Sequence, residues 1–97
     1  VPIMYRIAGD YEALFNVTGY AFETPSWPYF HACVRFGWRG APNGKKKWRI
    51  DHYETGMSIH AVEISSMEEA PAALSKLLDS YGAENVRAAL RAKGIEA

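Results

Sequence analysis

Apolar and polar positions of the first 64 residues follow no helical spacing and carry no helix caps, whereas beyond them apolar residues recur every three or four positions. Tyr, Phe, Val, Ile, Trp and Thr concentrate in the first part, and the pattern predicts strands over 3–8, 14–22, 30–38, 47–53 and 57–64. Pro25 and Pro28 break regular pairing between the second and third strands, with Trp27 between them either as a cover on the core or as an exposed contact. Pro42, Asn43 and Gly44 signal a turn between the third and fourth strands, and Thr55 with Gly56 a second one, so the last three strands read as an antiparallel meander. Ala70, Leu74, Leu77, Leu78 and Tyr81 then recur on one helical face. Ser66 and Glu69 have capping-box spacing, and Pro71 moves the helix entry a residue or two later. Gly82 stops that helix; a second, over 83–92, turns Val86 and Leu90 inward and ends near Gly94. The expected fold is a single α+β domain: an antiparallel sheet of four to five strands, covered on one face by one or two C-terminal helices.

Composition adds size and solvent. Ninety-seven residues with 48% hydrophobic and 13% aromatic content make one core, in a chain that folds unaided. No apolar run approaches the roughly 18–20 residues of a membrane span. The first ten residues lack the basic and apolar pattern of a secretion signal, and Cys33, the only cysteine, leaves no internal disulfide, so cytoplasmic residence is the default expectation.

Charge changes the picture most. Formal net charge is zero, yet residues 35–49 hold six of the eleven Lys and Arg (Arg35, Arg39, Lys45, Lys46, Lys47 and Arg49) and no acid, leaving five bases against eleven acids elsewhere. Such a dipolar chain attracts phosphate or carboxylate at its basic end, and flat rings beside the charges can stack on a base. Alternation places Trp48, Ile50 and His52 on one face and Lys47, Arg49, Asp51 and Tyr53 on the other. Phe36 and Trp48 are therefore expected in the core, while Trp38, near the tip, fits either side. The functional reading is a non-catalytic module whose hairpin offers Arg35, Trp38, Arg39, Lys45, Lys46, Lys47 and Arg49 to an anionic macromolecule, nucleic acid before others. A plainer account is a solvated turn whose lysines keep an edge strand from aggregating. The rival function is a protein-binding inhibitor, immunity protein or adaptor of bacterial or phage type, anchored by Trp27 or Trp38, and an open strand edge also allows a homodimer.

Catalysis has little to stand on. A symmetrical turn after residue 41 sets Cys33 across from His52 and Arg35 across from Ile50, so a thiol beside an imidazole, or zinc held by His31, Cys33, His52 and His60, forms the third reading. No CxxC or HxxxH spacing supports it, and a lone cysteine in an apolar strand is usually core. Glycines 37, 40 and 44 lie in a hairpin with no following helix, unlike a phosphate loop. Neither a metal nor a cofactor is expected.

Overall fold

The structure, a computed structural model, describes residues 1–8, 14–37 and 46–96. Four strands, β1 (Ile3–Ala8), β2 (Leu14–Phe22), β3 (Ala32–Gly37) and β4 (Lys47–His52), form an antiparallel sheet in the order β1-β2-β3-β4. A short 3-10 turn, Met67–Glu69, leads into helices α1 (Ala70–Tyr81) and α2 (Ala83–Ala92). This is the α+β arrangement that the change of pattern predicts.

One strand serves two neighbours. Residues of β2 from Leu14 to Gly19 pair with β1, whereas Tyr20, Ala21 and Phe22 pair with β3. The change of partner falls at Gly19, where a Cβ atom would lie 2.6 Å from the Val34 carbonyl oxygen and 3.1 Å from the Tyr5 hydroxyl. Only a residue without a side chain permits that approach. The β1–β2 hairpin consequently folds over one face of β3–β4, where Tyr5, Ile7 and Cys33 form a buried cluster with Ile3, Phe15 and Val17 against it. The helices cover the opposite face, burying Val34, Ile50, Ala70, Leu74, Leu78, Val86 and Leu90 together. Both faces of β3–β4 are thus covered, not one.

The expected fifth strand is reduced to one bridge, Asp51 to Ser58, with Ile59 N–H donating to the Ile50 carbonyl and His52 N–H to the Met57 carbonyl. Ile59, Val62 and Ile64 all pack on the helix-side core. A regular strand would send Ile59 to one face and Val62 and Ile64 to the other, so keeping all three in one core requires a break at His60 and Ala61, where the chain turns. At the helix entry, Glu69 accepts from Ser65 N–H and the Ser66 hydroxyl, and Pro71 sits in the first turn of α1, where its missing N–H costs nothing. Tyr81, expected inward, is exposed.

Candidate functional site

β3 and β4 pair in the register Ala32↔His52, Cys33↔Asp51, Val34↔Ile50, Arg35↔Arg49, Phe36↔Trp48 and Gly37↔Lys47. This is one residue from the symmetrical-turn expectation. Cys33 therefore faces Asp51 instead of His52, and Arg35 faces Arg49 instead of Ile50. Packing decides the register: it sets Val34 on Ile50 and Phe36 on Trp48, apolar against apolar.

Arg35 and Arg49 directly opposite would repel, and Asp51 resolves the conflict for Arg35. The Arg35 Nε donates to Asp51 Oδ2 at 2.7 Å and Nη2 to Oδ1 at 3.3 Å. The Tyr5 hydroxyl donates to Oδ2 at 2.7 Å, and the Ser58 hydroxyl to Oδ1 at 2.6 Å. Arg35 is 3% exposed and Asp51 fully buried, so the charges are enclosed beneath the β1–β2 hairpin. Burial, then the Asp51 charge and hydrogen bond, pushes the Tyr5 hydroxyl well above its usual range and keeps it a donor. Arg35, counted among the exposed cations from sequence, is instead an internal strut. The signal in the chain was Asp51 itself, the one acid in β4 and next to Ile50.

The other face of the ribbon opens at its far end. Helix cover extends over Val34 and Ile50; Phe36 lies beyond it and is 57% exposed, contrary to the inward position its alternation predicts. Its ring meets half-buried Trp48 with centroids 5.3 Å apart and planes tilted by 56°. β4 is the sheet edge. Ile50 and His52 use their outward backbone groups on residues 57–59, and the two-residue period turns the Trp48 N–H and carbonyl to the same side, where the chain has already left the sheet. The result is a groove of about 670 Å³ between this edge and residues 59–65, lined by Phe36, Lys47, Trp48, Arg49, Ile59 and Glu63 among others. Arg49 Nε donates to the Gly37 carbonyl at 3.4 Å, holding its guanidinium across the ribbon. Lys46 immediately precedes β4. Trp38, Arg39 and Lys45 lie outside the described residues.

Trp27 resolves as a core cover. It is 5% exposed, donates from Nε1 to Asp79 at 2.8 Å and meets Tyr29 edge-on, pinning the loop between β2 and β3 to α1. Beside that loop a larger hollow, about 1140 Å³, runs between Ile3, Cys33, Tyr53 and residues 21–32; Glu23 lines it, and among the described residues no lysine or arginine does.

Cys33 is fully buried, and burial, with Asp51 and then Glu54 adding to it, pushes its thiol up to about 11, the reverse of an activated nucleophile. His31 Nδ1 lies 2.8 Å from Glu54 Oε1 at the surface, a pairing that only the folded loops create. His52 packs on Phe30, and its Nδ1 accepts from the Thr55 N–H at 3.3 Å and the Thr55 hydroxyl at 2.9 Å, which leaves the ring proton on Nε2, 3.8 Å from Glu54. His60 is on the groove wall. Among the described residues no three His, Cys, Asp or Glu side chains are placed to hold a metal ion.

Burial lowers the His52 pKa from the ordinary 6.5, more than Glu54 raises it. The unfolded chain therefore binds a proton that the folded one resists, so stability should fall as pH drops from about 6.5 toward the depressed folded value and level off below it. Urea titrations of the protein and of His52→Asn, at points about one pH unit apart from about 7.5 to 5, check this. The substitution is expected to flatten that part of the profile; parallel profiles would show that His52 does not drive it.

No helix of the described residues is long and apolar enough to cross a membrane. Compared with protein-family models, curated proteins and solved structures, the chain finds no match.

Proposed function

We propose that the protein is a non-catalytic binding module whose β3–β4 ribbon holds an anionic macromolecule, nucleic acid, at the open end of the sheet. The observation that carries this reading is the exposed Phe36 ring, seated on Trp48 beside a groove that Lys47 and Arg49 line. Phosphates need cations and bases need flat apolar faces, and both occur here on adjacent residues of one edge. Lys46, and Arg39 and Lys45 of the undescribed tip, extend the charge in sequence. Without Arg35 the ribbon still carries five of the eleven bases. The eleven acids all lie outside residues 35–49 of the sequence.

Fluorescence anisotropy of labelled nucleic acid at about 50 and 200 mM salt tests this reading, since binding through phosphates weakens steeply over that range. A Lys45→Ala, Lys46→Ala, Lys47→Ala variant is expected to bind more weakly and to lower the salt slope by about 0.7–0.9 for each lysine that touched a phosphate. Unchanged binding in the variant would remove the hairpin from the account. The outward Trp48 backbone supports one second reading, an acidic extended segment of a partner protein added to the edge of β4. An interface of that kind would show weaker salt dependence.

A further inference from the structure

We infer that the groove takes single-stranded nucleic acid in preference to a duplex, an inference that rests on the reading above. The first ground is the state of the ring. Phe36 is 57% exposed although its cross-strand partner is Trp48, so a large apolar face is left for a ligand to cover. An unpaired base offers a free π-face to such a ring, whereas duplex bases have both faces occupied by their neighbours.

Shape is the second ground. Reading a duplex requires a convex element, a helix or a ribbon that enters a groove. Among the described residues the site is the reverse: a slot walled on one side by the edge of β4 and on the other by residues 59–65, with Ile59 and Trp48 among its apolar lining. Phe36 and Trp48 share one face of the ribbon and Lys47 and Arg49 the other, so a single backbone can follow the edge of β4 between them, its phosphates toward Lys47 and Arg49 and a base against Phe36. Among the described residues Glu63 is the one acid on the lining, at the wall across from β4. It disfavours phosphate there and biases the backbone toward the cationic side. A second copy of the chain is a poor occupant, because pairing two such edges sets Lys47 and Arg49 against like charges.

The experiment measures binding of a labelled single strand and of the duplex of the same sequence at about 50 mM salt, for the protein, Phe36→Ala, Phe36→Tyr and Lys46→Ala/Lys47→Ala, with far-UV circular dichroism to check folding. Phe36 is exposed, so its replacement leaves the core intact. The single strand is expected to bind about tenfold more tightly than the duplex, and Phe36→Ala to lose about 5- to 150-fold on the single strand, the range that one stacked base supplies. Duplex affinity should stay within about twofold, Phe36→Tyr should keep single-strand binding because a ring remains, and the double lysine variant should weaken both ligands. Equal affinity for the two ligands with Phe36→Ala neutral would overturn this inference and leave the polyanion reading standing. No binding of either at low salt would overturn that reading and this inference with it. Equal displacement by poly-glutamate would point to an acidic protein partner and overturn both.

Discussion

Replacing Asp51 with alanine should cost about 3–5 kcal/mol, because it leaves the Arg35 guanidinium charged, buried and facing Arg49. Small domains are stable by only about 5–15 kcal/mol, so the variant should be marginal at room temperature. The attraction between the two groups largely offsets the desolvation of each, and that balance makes removal of one worse than removal of both. Arg35→Met with Asp51→Leu takes both charges out and fills the space with apolar atoms. This double variant is expected to recover at least about half of the loss, the remainder being the Tyr5 and Ser58 hydroxyls left without an acceptor at about 1 kcal/mol each. Urea midpoints, converted with a slope of about 1–3 kcal/mol/M, measure the difference. A double variant as unstable as Asp51→Ala would mean that the cost lies in lost shape and hydrogen bonds and not in an uncompensated charge.

That network shows how far the sequence can be read. The bounds of β1, β2 and α2 follow from β-prone composition and from three- and four-residue spacing, which are local, and the structure has them where the sequence puts them. The register of β3 on β4 is a long-range quantity: a one-residue difference in the turn moves Cys33 from His52 to Asp51, and only packing of Val34 on Ile50 selects between them. The partner of Asp51 is more remote, since Tyr5 lies 46 residues away on a hairpin whose fold over the sheet depends on Gly19. The fate of the aromatic residues was divided for the same reason. Trp27 reads as cover or contact until Asp79 of α1 is known to receive its indole N–H, and Phe36 reads as core because alternation reports a face but not where the helices above that face stop. The cationic stretch was legible as charge; that Arg35 is withdrawn from it was not, because burial is a property of the hairpin above and not of the segment.

Gly56→Ala should be the next most damaging change, at about 2–4 kcal/mol, since it combines backbone strain with overpacking against a rigid neighbour. Gly56 has φ +71°, and a Cβ there would lie 2.7 Å from the Arg6 carbonyl oxygen and 3.0 Å from the Ala8 nitrogen, backbone atoms that cannot rotate away. The approach has a use: the Gly56 carbonyl accepts from Ala8 N–H at 2.8 Å while its own N–H donates to the His52 carbonyl, so this turn fastens the end of β1 to the end of β4. Pushing them apart loosens the lid over Arg35 and Asp51 as well as the turn. Gly82 provides the comparison, with φ +85°, ψ 152° and nothing within 4 Å of the place a Cβ would take, so Gly82→Ala bears the conformational cost alone, about 1–3 kcal/mol. At about 4–8 °C per kcal/mol for a domain of this size, thermal melts should place Gly56→Ala below Gly82→Ala by the overpacking that only Gly56 adds, about 1 kcal/mol. Equal melting temperatures would show that β1 can retreat from Gly56 without loss, and the hairpin would then be a looser cover on the buried ion pair than its hydrogen bonds imply.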